Sequence, residues 1–138
     1  MLKSLRVRFD IMNGITKREE RIIIMEKLYS YDMDDNYVFL SPLDDYSDYV
    51  NQIVNYVCAN LAKIDELISC SLTNYRINRL SYVDRAIIRM ATAELLNGLA
   101  KTIVINEALE IVKIYSDEGS GKSVAFVNKV LDTIAKKI

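Results

Sequence analysis

Only one proline and four glycines interrupt 138 residues, and this scarcity of chain breakers constrains the fold more than any motif does. A strand-and-turn architecture needs turn residues at short, regular intervals, and a long linker needs Gly, Pro or Ser in runs. Neither supply exists here, so the chain reads as all-α. At 51 % hydrophobic and 27 % charged residues it is long enough for one domain with a real core and too short for two comfortable ones.

Apolar spacing and capping residues locate the helices. Thr16-Lys17-Arg18-Glu19 is a capping box, with hydroxyl and carboxylate each placed to accept from the other residue's backbone amide; it starts a helix running to about Tyr31. Ser41-Pro42 followed by Asp44 and Asp45 is a second start signal, a cap, a first-turn proline and negative charge at the positive end of the helix dipole. From there to about Asn74, residues such as Ile53, Val57, Leu61, Ile64 and Ile68 recur at three and four, which predicts two helices broken near Asn60. Ser81 with Asp84 caps the next helix, whose stripe of Val83, Ala86, Ile87, Met90, Ala91 and Leu95 ends at Asn97-Gly98. A helix with Ile105, Ala108, Leu109 and Val112 on one face follows. The last comes after Gly119-Ser120-Gly121, with Ser123 as its cap and Val124, Val127, Leu131, Ile134 and Ile138 inward.

Residues 1–14 read as an extension ahead of a domain over residues 15–138. Lys3, Arg6, Arg8 and Asp10 interrupt its apolar residues, so it lacks a signal-peptide core. No segment reaches the ~18 apolar residues of a membrane span, and a cytoplasmic location is expected. Cys58 and Cys70 with no histidine are too few for Cys/His zinc ligation and are expected as a reduced, buried pair.

Few residues invite chemistry. Gly121-Lys122-Ser123 matches the end of a phosphate-binding loop, but the position of its first glycine is Ser116 and a helix precedes it where a strand is required; a helix-to-helix turn is the better account. Asp34, Asp35, Asp44, Asp45 and Asp48 lack the ligand spacing of a calcium loop and read as a solvated acidic segment. No metal, cofactor or catalytic constellation is expected. The net charge of −1 hides an uneven distribution: residues 1–30 carry seven basic and four acidic side chains, residues 31–75 one and eight. A local cationic end suits a small RNA footprint. On the first helix Arg18, Ile22, Met25 and Tyr29 fall along one line with Arg21 beside it. Either these arginines hold phosphates while Tyr29 stacks on a base, or they snorkel and cap the core.

Three ordered segments, Asp84-Arg85-Ala86-Ile87-Ile88-Arg89-Met90-Ala91, Ile105-Asn106-Glu107-Ala108-Leu109-Glu110-Ile111-Val112-Lys113 and Phe126-Val127-Asn128-Lys129-Val130-Leu131-Asp132, resemble the NusB family of bacterial transcription antitermination factors. Arg21 through Leu28-Tyr29-Ser30 is similar to the family's first helix. The resemblance implies an all-α domain of about seven helices in two small bundles. It also implies a non-enzymatic role in ribosomal RNA transcription: binding boxA-type single-stranded RNA together with NusE, a small-subunit ribosomal protein, within the RNA polymerase antitermination complex. RNA contacts would fall on Lys17, Arg18, Arg21, Tyr29, Lys122, Phe126 and Lys129, and NusE on Asn78, Arg79 and Asp84. Glu19 and Glu20 stand where the family usually has basic or small residues, Ala93 where an aromatic is common, and Lys129 in place of glycine. The alternative is a NusB-like docking or rRNA-processing module without strong RNA affinity of its own, and a homodimer of the free protein stays open.

Overall fold

The computed structural model describes residues 15–37 and 46–138; the extension at 1–14 and the Ser41-Pro42 start signal lie outside them. Among the described residues there are six α-helices, one 3-10 turn and no strand. Helix α1, Lys17–Met33, begins at the expected capping box: the Glu19 amide donates to Thr16 Oγ1 at 3.1 Å, and the Thr16 amide to Glu19 Oε1 at 3.4 Å. Helix α2, Asp48–Ala59, is capped by Ser47, whose hydroxyl accepts from the Val50 amide. Asn60 leaves the helical region at φ −124°, and α3, Leu61–Ser71, follows at once, so the break falls where the sequence places it.

The 3-10 turn Ile77–Arg79 leads into α4, Tyr82–Leu96. Ser81 accepts from the Asp84 amide at 3.1 Å, while the Asp84 carboxylate reaches away to Ser116. Helices α5, Lys101–Tyr115, and α6, Lys122–Lys137, complete the chain. Two expectations shift in register. On α5 the inward line is Val104, Ala108, Ile111 and Val112, with Ile105 and Leu109 half-buried at its edge. On α6 the cap position belongs to Gly121 at φ +78°, a left-handed conformation that a β-carbon disfavours, and Ser123 lies one residue inside the first turn. Ile138 is exposed rather than inward, because the helix ends at Lys137.

The two bundles share one member. Helices α1 and α2 pack on one side of α4, α5 and α6 on another, and α3 touches both α4 and α6. A single continuous core joins them. Surrounded in this way, α4 is buried at every position from Asp84 to Leu95, including four charged residues that an ordinary surface helix would leave in water. Each has a partner. Arg89 makes a two-pronged pair with Asp65 of α3, Nε to Oδ1 at 2.8 Å and Nη2 to Oδ2 at 2.9 Å. Glu94 takes Arg21 Nε at 3.0 Å on both oxygens, and Tyr49 of α2 also donates to it. Burial opposes the Arg21 charge, yet the bond to Glu94 and its attraction hold the guanidinium pKa above the ordinary value. Burial, then the same carboxylate, raises the Tyr49 hydroxyl as well, so it remains a donor. Among the described residues no buried side-chain polar atom lacks a hydrogen bond.

The cysteines are free thiols but not a buried pair. Cys58 is half-buried and Cys70 exposed, since Cys70 falls on the outer face of α3, two residues beyond the inward Ile68. No described helix is long and apolar enough to cross a membrane, and no described group of three or more His, Cys, Asp or Glu is placed to hold a metal.

Breaking one side of the Arg21–Glu94 pair strands a buried charge. Arg21→Ala or Glu94→Ala is expected to lose about 3–5 kcal/mol of stability, whereas Arg18→Ala, which opens an exposed pair with Glu107, stays within about 1 kcal/mol. Urea unfolding measures both. Replacing the pair together as Arg21→Met with Glu94→Leu should recover most of the loss.

Candidate nucleic-acid interface

The cations of α1 are largely spoken for. Lys17 Nζ sits 3.4 Å from the centre of the Tyr49 ring and 3.8 Å from Glu20. Arg18 holds Glu107 of α5 through Nε and Nη2, each at 2.8 Å. Arg21 is 2 % exposed. Its expected place in an RNA contact is therefore corrected: the core-facing line of α1 runs through Arg21, Ile24 and Leu28, one step round from the line through Arg18, Ile22, Met25 and Tyr29. Buried in the core against Glu94, this guanidinium is out of reach of a phosphate in solvent. Tyr29, at the far end of α1, is exposed and meets the Tyr82 ring edge-on at 6.0 Å.

A different cluster forms where the α3–α4 connection meets the start of α6. Lys122, Phe126 and Lys129 recur at four and three and share one edge of α6. Beside them lie Tyr75 and Arg79 from the connection, and Ser81 and Asp84 from the start of α4. Together these segments line a groove of about 250 Å³ that includes Tyr75, Arg79, Asp84, Lys122 and Phe126. Phe126 is half-buried against the core rim and meets Tyr75 edge-on, with ring centres 5.6 Å apart at 66°. The fold makes Phe126 a core-rim residue that also borders the groove. Among the described residues, no carboxylate pairs with Arg79, Lys122 or Lys129.

Buried α4 residues fix the walls of this groove. Arg85 donates through Nη1 to the Ile77 carbonyl at 3.2 Å and through Nε to Asp32 at 2.6 Å, tying the 3-10 turn that carries Asn78 and Arg79 to the end of α1. Asp84 accepts from Ser116 Oγ at 2.5 Å, which anchors the end of α5 just before the turn into α6. That turn closes with the Gly121 amide donating to the Asp117 carboxylate at 3.1 Å. The sequence residues read separately as RNA contacts, Lys122 and Phe126, and as partner contacts, Arg79 and Asp84, thus line one groove. Asn78 lies in the adjoining concavity with Tyr75, Arg76 and Arg79. Sequence reading missed Tyr75, although an aromatic followed by Arg76 and Arg79 between two helices is a legible signal.

The model of the NusB family matches residues 9–136. The chain belongs to the NusB family. It is 44 % identical over 94 residues to the transcription antitermination protein NusB of Listeria innocua, covering 67 % of this chain and 71 % of that protein. To the protein of the same name from Clostridium botulinum it is 48 % identical over 91 residues, 64 % of this chain and 66 % of that one. Among solved structures, NusB of T. maritima superposes with a TM-score of 0.75 at 31 % identity, covering 89 % of this chain and 92 % of the other. A structure described as antitermination factors NusB and NusE in complex with dsRNA superposes at 0.73 and 27 % identity, with 88 % and 97 % coverage.

Within this NusB domain, Asp84 lines the groove as a partly desolvated carboxyl. Burial raises its carboxyl pKa, hydrogen bonds from Ser116 and Ser81 partly offset that, and Asp117 adds to the rise. A folded pKa above the unfolded value means that the folded state holds the proton more tightly, so this group's contribution falls as pH rises from about 3.8 through the folded pKa. Asp84→Asn removes that component while keeping an acceptor for Ser116. Its stability relative to the parent is expected to rise across that window and then level off, as read from thermal melts at stepped pH; an unchanged difference across the window would place the carboxyl at its ordinary pKa.

Proposed function

We propose that this protein is a non-enzymatic, cytoplasmic transcription antitermination factor. In this reading it binds boxA-type single-stranded RNA together with NusE, and so serves the RNA polymerase antitermination complex on ribosomal RNA transcripts. The observation that carries the reading is the groove that Phe126 lines together with Arg79 and Lys122, two cations without carboxylate partners among the described residues. Unpaired bases expose their faces to aromatic side chains while cations track the backbone. A duplex keeps those faces stacked, which favours a single strand here. Family membership supports the same reading, and the solved relative described with NusE and dsRNA supports NusE and RNA as partners, while the preference for a single strand rests on the groove.

The RNA contacts are assigned first to Lys122, Phe126 and Lys129, with Lys17 and Arg18 as minor contributors, because Glu20 and Glu107 already offset their charge. Arg79, which lines the groove with Lys122, is assigned to the RNA backbone as well, while partner contacts are assigned to Asn78, and Tyr29 joins it. Its exposed ring against Tyr82 makes an aromatic face of the kind enriched in protein interfaces. Asp84 acts from behind through Ser116. The docking-module alternative keeps the NusE face and lacks the RNA contacts.

Anisotropy titration of a boxA oligonucleotide, with and without NusE, tests the reading. Binding is expected to be weak alone and tighter with NusE; equal affinity for boxA and a scrambled RNA in the presence of NusE would overturn it. Lys122→Ala and Lys129→Ala should each reduce the salt slope by about 0.7, one phosphate contact on a single strand. Arg18→Ala should leave the slope nearly unchanged.

A further inference from the structure

Tyr75 is 59 % exposed, a large ring in water on the connection between α3 and the 3-10 turn. The preceding Asn74 has φ +65°, a left-handed conformation that asparagine tolerates better than most residues. Its aromatic neighbour is Phe126, held edge-on, and the two differ in role. Phe126 is half-buried against the core and gives much of its surface to packing. Tyr75 keeps most of its surface free and lines the same groove as Arg79 and Lys122. At about 250 Å³ the groove falls below the roughly 300–1,000 Å³ of sites that enclose a whole small molecule. Its size suits one planar group with the rest of the ligand outside.

We propose that Tyr75 is the stacking platform for one unpaired base of the bound RNA, with Phe126 holding the ring in place and Arg79 and Lys122 meeting the flanking phosphates. The inference rests on the RNA reading of this groove and adds the residue that carries the base contact. Every base has a π-face, so a tyrosine platform gives affinity with little sequence selection. A half-buried Phe126 serves as the positioning residue: an edge-on aromatic contact restricts how the Tyr75 ring turns.

The test uses the full chain with NusE and a boxA oligonucleotide carrying a single 2-aminopurine at successive positions, since stacking quenches its fluorescence. Wild type is expected to quench at one position. Tyr75→Leu should lose that quench and bind roughly 5- to 100-fold more weakly, the range for one lost base–aromatic stack, while Tyr75→Phe keeps both. Thermal melting of Tyr75→Leu should match the parent, because the ring is mostly in solvent. If Tyr75→Leu quenches and binds as wild type while Lys122→Ala weakens binding, the platform assignment falls and the RNA reading stands. If Tyr75→Leu instead weakens NusE binding in the absence of RNA and leaves the quench intact, Tyr75 is a protein contact and the assignment is overturned. Failure of wild type to bind boxA even with NusE would sink the RNA reading itself, and the platform with it.

Discussion

A helix that is buried around its whole circumference has nowhere to send a charged side chain except into another helix. Helix α4 is in that position from Asp84 to Leu95, and it carries Asp84, Arg85, Arg89 and Glu94. Leaving any of them unpaired in the interior costs several kcal/mol. The surrounding elements are therefore arranged around four polar contacts: Ser116 beyond the end of α5, Asp32 near the end of α1, Asp65 in α3, and Arg21 with Tyr49 from α1 and α2. Apolar packing holds these helices together, while the polar contacts set which residue faces which. A slip of α1 by one residue would carry Arg21 about 100° away from Glu94 and leave both charges without their partners.

The same contacts bring the candidate site into being. Its walls come from three stretches of chain that are not adjacent in sequence: the connection after α3, the start of α4 and the start of α6. Arg85 reaches the Ile77 carbonyl, so the turn bearing Asn78 and Arg79 is held by the core in addition to its own short hydrogen-bond ladder. Asp84 does the equivalent for the chain leading into α6. A binding surface on irregular backbone thus stands on buried, charge-assisted bonds, which suits loops that must present side chains at set positions.

Charge counting along the chain and charge in space point to different ends of the molecule. The amino-terminal excess of basic residues is real in sequence, but Glu20, Glu94 and Glu107 fold onto Lys17, Arg21 and Arg18. Lys122 and Lys129, by contrast, lie in a chain that is nearly neutral and have no carboxylate partner among the described residues. A cation already offset by a carboxylate a few ångströms away contributes less to phosphate attraction than an isolated one. Among the described residues, Arg79 and Lys122 in the groove keep charges that no carboxylate offsets, whereas Lys17, Arg18 and Arg21 of α1 do not.

Local rules were enough for the all-α class, the Thr16 capping box, the break at Asn60, the Ser81 cap and the stop at Asn97-Gly98, because each depends on interactions within a few residues. The ordered segments of α4, α5 and α6 were likewise enough to point to the NusB family. Registers were less legible: Arg21, read as an RNA contact or a residue at the core edge, turned fully inward, Val104 and Ile111 faced the core with Ile105 and Leu109 at its edge, and Ile138 stayed out. An apolar stripe read from periodicity is wide enough to be satisfied by neighbouring lines 100° apart, and a buried arginine looks like a surface one until its carboxylate is known. Glu94 lies 73 residues from Arg21, and Tyr75 lies across a helix pair from Phe126. Local propensity determined which segments are helices and where they start; only long-range packing decided which charges were neutralised and which aromatic rings shared a groove, since both depend on distances that no local pattern contains.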